Sequence, residues 1–391
     1  MKKLFSLVLA LVMALSLVAC GSGDSSTGSG GEAAGDEGAE PIKLGVFEAM
    51  TGGNAAAGQL EYEGMQLANM VRPTVTIDGV SHPVELVVAD NKTDTVEAVT
   101  AAASLVSAGC VAAMGGTGSG LCIAAAPTFD EAQLPIVGTT CTNPLVTEGN
   151  DYYFRLCYTD PLQGKILSDY AKNDLGAKTA AIITDITDAY CIGLAEYFKE
   201  NFGEENIVEE LYFNTGDQDF SAALTTIAAA NPDVVFSGSQ YTEGALMQVQ
   251  AEQQGFDFQF LGTDGWETDA LLEIGGSALN GCVFNTFFDN DADPTEASTQ
   301  YLKEYDEHFG GKPRSSYTAL GYDAYMVILD AIEACNSTDG PTLRDAIAAT
   351  DRDCVTGHIT FDENGDAAKN TGYLKSCQDG QFVFGSVVTI T

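Results

Sequence analysis

QDFSAALTTIAAANPDVVFSG, residues 218–238, sets one helix and one strand back to back. Asp219 is placed to cap a helix, Phe220, Leu224 and Ile227 recur at the spacing that puts them on one face, and Asn231-Pro232 stops the run. DVVFSG (233–238) follows at once as a continuous apolar run, the pattern of a strand covered on both faces. The same rhythm extends in both directions. KTAAIITD (178–185), IVEELYF (207–213) and FQFLGTD (258–264) alternate with helical stretches near 161–175, 190–202 and 241–254. An earlier series does the same: IKLGVF (42–47), VELVVAD (84–90), CVAAMG (110–115) and LPIVG (134–138), separated by helical stretches near 59–71, 94–107 and 121–131. Two α/β layered domains are expected, each with a parallel-rich sheet flanked by helices. Beyond Phe288 come longer helices near 294–309 and 316–336 and a final strand pair near 371–390, which must rejoin domains already begun.

The ends and the charge narrow the class. MKKLFSLVLALVMALSLVAC (1–20) has two lysines before an apolar run of export-signal length, and Leu17-Val18-Ala19-Cys20 is similar to the lipobox of bacterial lipoproteins, which marks Cys20 for lipid attachment. Residues 21–41 are an acidic Gly/Ser tether with almost nothing to bury. The membrane is therefore touched through a lipid anchor alone, outside the cytoplasm. With 17 Lys+Arg against 56 Asp+Glu the formal net charge is −39, which excludes nucleic acid and keeps the surface away from anionic lipid. Nine cysteines remain after Cys20, with no C-x-x-C pair, and His82, His308 and His358 are far apart, so no metal site and no cofactor are expected. Free thiols are the main expectation, with Cys335 and Cys354 the most plausible pair if a disulfide forms. FDNDADP (288–294) has the acids of a calcium loop but proline where glycine is required, and is expected to be a turn.

GGTGSGLCIAAAP (115–127) is a glycine-rich bend running into a helix start, where free N–H groups and the helix dipole favour an anion. No lysine occurs between Lys92 and Lys165, which argues against a triphosphate and leaves a carboxylate. Turns at 48–58, 115–120, 138–143, 185–190, 238–241 and 262–266 all follow strands, where open α/β sheets bind ligands, and they come from both domains. A cleft between the domains is the expected site. GTGSG is not a G-x-S-x-G elbow and the first turn lacks G-x-G-x-x-G, so no enzyme is expected.

EAMTGGNAAAGQLEYEG (48–64), the Ser119 turn, CTNPLVTEGNDYYFR (141–155), GDQDFSAAL (216–224), LGTDGWE (261–267) and GHITFDENGD (357–366) together resemble the branched-chain amino-acid-type solute-binding proteins of ABC importers, over nearly the whole mature chain. The resemblance implies a two-lobed periplasmic-binding-protein-like fold of type I, crossing three times near residues 160, 288 and 370. It divides the chain into lobe 1 (42–160 and 289–370) and lobe 2 (161–288 and 371–391). It implies a monomer that closes on an amino acid or similar zwitterion and hands it to an ABC permease; a sensor presenting the same ligand to a signalling protein is the alternative. Residue by residue, it implies that Ser119 and Thr142 bind the ligand's carboxylate and that the Thr140 carbonyl and Asp264 face its ammonium. Tyr190 would then close over the ligand from the other lobe. Two positions depart from the family: Ala57 and Gln240 replace aromatics, although Tyr241 is adjacent. A larger, more polar side-chain pocket follows, better suited to an aromatic or amide-bearing amino acid than to leucine, with Trp266 placed to lend a ring.

Overall fold

The computed structural model describes residues 39–292 and 295–390. The export signal, Cys20, most of the tether and Asp293-Pro294 of the acidic turn lie outside the described residues. In chain order the first lobe begins with β1 (Ile42–Glu48), α1 (Ala55–Val71), β2 (Thr74–Ile77), β3 (Val80–Asp90), α2 (Thr95–Ser107), β4 (Ala112–Met114), α3 (Ser119–Glu131), β5 (Ile136–Gly138) and β6 (Tyr153–Arg155). Its six strands run in the order β2-β3-β1-β4-β5-β6, all parallel except the β2–β3 hairpin. That hairpin was not anticipated from the sequence. Its turn, Asp78-Gly79, takes positive φ at both residues, the two-residue geometry that matches strand twist.

The chain then crosses to the second lobe: α4 (Asp160–Asn173), β7 (Ala180–Asp185), α5 (Ala189–Phe202), β8 (Ile207–Phe213), α6 (Ser221–Ala230), β9 (Val234–Gly238), α7 (Tyr241–Gln254), β10 (Phe260–Gly262), α8 (Asp269–Gly275) and β11 (Val283–Thr286). It returns for α9 (Glu296–His308), α10 (Ser316–Cys335), α11 (Gly340–Ala348) and the small hairpin of β12 (Asp351–Cys354) and β13 (Gly357–Thr360). It crosses a third time for β14 (Thr371–Gln378) and β15 (Gln381–Thr389), which pair antiparallel on the edge of the second sheet. The full order there is β15-β14-β11-β10-β9-β7-β8. This is the type I two-lobed α/β fold.

Strand alternation explains the double covering. In β7, Ala181 and Ile183 pack under α6 and α7, whereas Ala180 and Ile182 pack under α4 and α5. The stretch 218–238 folds as its pattern requires: Phe220, Leu224 and Ile227 are buried against the sheet, each worth about 1.5–3 kcal/mol. Asn231 ends α6 in the left-handed conformation. Asp219 accepts from the Ser221 N–H, one position earlier than a cap residue proper, because Phe220 occupies the cap itself.

In the first lobe the long helix α10 is buried on nearly every side against α1. Gly64 and Gly321 make that contact possible, since a Cβ on either would overlap a backbone carbonyl of the facing helix. The crossing brings the start of α10 to the cleft. All nine cysteines of the described chain are free thiols, Cys335 and Cys354 included. Among the described residues no helix is long and apolar enough to cross a membrane.

Candidate functional site

The turns after β1, β4 and β5 in one lobe face those after β7, β9 and β10 in the other. Hydrogen bonds join the lobes across the cleft. Asn143 Nδ2 donates to the Ala189 carbonyl at 3.1 Å, Tyr241 O–H donates to the Gly53 carbonyl at 2.5 Å, and Tyr317 O–H donates to the Asp264 carbonyl. Between them lies a closed inner pocket with about 10 Å³ of free volume, room for one water. A molecule larger than a water can enter only when the lobes part.

On the lobe 1 side, Gly118 adopts a φ of +91° and delivers Ser119 as the first residue of α3. Ser119 Oγ accepts the Asn143 N–H at 3.1 Å, so its own proton remains available to the pocket. Thr117 and Thr140 stand beside it, and two buried carboxyl groups stand behind them. Glu48 Oε1 accepts the Gly116 N–H at 3.0 Å; Thr117 Oγ1 lies 3.1 Å from Glu48 Oε2 and 2.6 Å from Glu61 Oε1. Thr140 Oγ1 donates to Glu61 Oε1 at 2.6 Å, and Thr139 also donates to Glu61. Burial and then the neighbouring Glu61 push the Glu48 carboxyl well above the usual range, and burial raises Glu61 as well. The pair therefore holds a proton and orients the threonine hydroxyls. The local sequence carries no sign of this pairing, because α1 brings Glu61 to Glu48 only in the packed fold.

On the lobe 2 side the short turn Asp264–Trp266 carries a carboxylate directly on the wall. Asp264 is 3% exposed and its Oδ1 accepts the Tyr190 O–H at 2.5 Å. Burial pushes its pKa up to about 7, opposed by the hydrogen bonds of Tyr190 and Gln163. A ligand ammonium brought against it would favour the ionised form. Gln240 shares this wall: its Nε2 donates to Asp188 Oδ2 at 2.8 Å, which holds the amide against lobe 2.

Of the residues singled out from sequence, Ser119, Thr140, Tyr190, Gln240 and Asp264 converge on the pocket, and Ala57 lines it too. Thr142 lies behind the wall, fully buried, with its hydroxyl beside the Asp160 carboxyl. Trp266 corrects an expectation. Its indole fills the lobe 2 core where Gly244 and Gly262 leave room, Nε1 lies 3.2 Å from the Ser239 carbonyl, and no part of it lines the pocket. Tyr317 was missed, since it arrives from α10, more than fifty residues beyond Asp264. Thr117 was missed although it stands in the same bend as Ser119.

Behind the Asp264 turn, Glu267 is fully buried and meets Lys375 Nζ at 2.5 Å, with Asp289 Oδ2 3.0 Å from the same ammonium. Glu267 Oε2 also accepts the Ser316 N–H at 3.0 Å. The network ties the binding turn to the second and third crossovers and to the start of α10.

Residues 41–381 match the family model described as "Periplasmic binding protein". The Leu/Ile/Val-binding protein homolog 3 of Brucella melitensis is 29% identical over 352 residues, 88% of this chain and 93% of its own length. The crystal structure of the leucine binding protein LivK of Thermotoga maritima is 37% identical, with a TM-score of 0.85 over 89% of this chain and 99% of that one. The branched-chain amino acid transporter substrate binding protein LivJ of Streptococcus pneumoniae, solved with isoleucine, is 28% identical with a TM-score of 0.82, covering 90% of this chain and 99% of that one.

Proposed function

The chain belongs to the periplasmic binding protein family of extracytoplasmic solute-binding proteins, and from that premise we propose that it captures a free amino acid in the interlobe cleft and delivers it to a membrane permease. The observation that carries this reading is the opposed chemistry of two walls in one closed pocket: the hydroxyl and helix-start N–H of Ser119 face the Asp264 carboxylate. A zwitterion leaving water needs both poles paired, and this pocket supplies a donor pole and an acceptor pole. The isoleucine bound to the Streptococcus relative supports the same ligand class.

The mechanism is hinge closure without chemistry. Residues 42–160 with 289–370 move as one body and 161–288 with 371–391 as the other. The ligand adds contacts from both, which shifts the population toward the closed form recognised by the permease. Lipid on Cys20 keeps the monomer beside that permease while residues 21–41 give it reach.

Thermal-shift screening against free amino acids tests the reading, because a ligand at 100 times its Kd adds about 2.7 kcal/mol to the folded state. Ser119→Ala and Asp264→Ala should each remove the shift. A parental response from both variants would place the ligand elsewhere.

A further inference from the structure

The inner pocket is small, with about 10 Å³ of free volume. Its wall joins hydroxyls, an amide and a carboxylate with the rings of Tyr190 and Tyr317 and the methyl of Ala57. That space does not hold a long side chain as well as the two poles of an amino acid. Gly118 and Gln240, however, also belong to a second cavity of about 520 Å³ that continues the cleft outward. Its charged lining residues are Asp188 and Glu243, both from lobe 2, and no lysine, arginine or histidine lines it.

Glu243 is 6% exposed, and its Oε1 accepts the Gly216 N–H at 2.9 Å. Burial raises its pKa, and the charges of Asp185 and Asp188 push the same way. Asp188 spends Oδ1 on the Tyr190 N–H and Oδ2 on Gln240. Opposite them, Leu121 and Ile123 of α3 offer methyl groups. A chamber with an apolar side, two carboxylates and no cation in its lining matches a side chain with an alkyl stem and a cationic end.

Resting on the amino-acid reading above, we propose that the ligand is a basic amino acid whose side chain passes between Gly118 and Gln240 and ends against Glu243 and Asp188 in the outer chamber. Calorimetric titration with L-arginine, L-lysine, L-glutamine and L-leucine tests it. Arginine or lysine should bind at least tenfold more tightly than glutamine or leucine. Glu243→Gln, which keeps an acceptor for the Gly216 N–H, should reduce the preference for arginine over glutamine at least tenfold. Leucine binding more tightly than arginine and lysine, or an unchanged preference in a folded Glu243→Gln variant, overturns the proposal and leaves the amino-acid reading standing. Binding of none of the four overturns the proposal, and a negative screen of all free amino acids overturns the amino-acid reading as well. The wild-type series decides the matter alone if the variant does not fold.

Discussion

The two walls of the cleft handle buried acid in opposite ways. In lobe 1 the carboxyl groups of Glu48 and Glu61 stand behind Thr117 and Thr140, so the surface offered to the ligand is made of hydroxyls and N–H groups. In lobe 2 the Asp264 carboxylate is on the surface, and the acid behind it, Glu267, is paired with Lys375. One wall neutralises its acid with a retained proton and the other with a lysine. The first presents the Ser119 hydroxyl proton and helix-start N–H, and the second presents the Asp264 carboxyl, which a ligand ammonium would draw into its charged form. Opposed polarity, which a zwitterion requires, comes from the placement of acids that both walls possess.

The largest test of this contrast removes the lysine. Lys375→Met leaves Glu267 and Asp289 buried without a cation, and urea denaturation should show a loss of about 3–5 kcal/mol. Glu48→Gln, which replaces a carboxyl group already able to hold a proton, should cost far less. Equal losses would mean that the two walls do not differ in this way.

An intermediate effect is expected at Asp264. Its folded pKa, about 7, lies above its usual value, so the fold favours the protonated acid. Stability from this group is intact below the unfolded value and falls as pH rises through 7. The ligand-free Asp264→Asn variant should therefore match the parent near pH 4 and exceed it at pH 9, by an amount on the order of a few kcal/mol. Calorimetric unfolding at the two pH values checks this. A variant no more stable than the parent at pH 9 would show that Asp264 is not held in a desolvated wall.

The smallest effect belongs to the clasp between the walls. Tyr241→Phe deletes the hydrogen bond to the Gly53 carbonyl, worth about 1 kcal/mol, and should weaken ligand affinity roughly fivefold by disfavouring closure. Small-angle scattering of the ligand-free variant should show a larger open fraction. An unchanged profile and affinity would remove Tyr241 from the closing contacts.

Legibility varied with the range of the interaction. The helix from Tyr241 to Gln254 begins and ends where its pattern places it, because periodicity and the Gly255 stop are local. The bend before Ser119 was legible for the same reason. The Asp78-Gly79 hairpin carried a readable turn signal that went unused. Trp266 misled because proximity to Asp264 in sequence says nothing about which side of a short turn faces the core. The direction was set by Gly244, on a different element, leaving space for the indole.

Alternating hydrophobic periods and turn residues were sufficient to define two α/β layers and the turns that follow their strands. These follow from contacts between near neighbours along the chain. Only the folded molecule decided that Glu61 stands against Glu48, that Tyr317 reaches the Asp264 carbonyl, and that Glu243 opens onto a chamber beyond Gln240. Those meetings depend on how α1, α7 and α10 pack and on how the lobes close. A period along one segment specifies which face is buried; the partner of that face is chosen by packing of the whole.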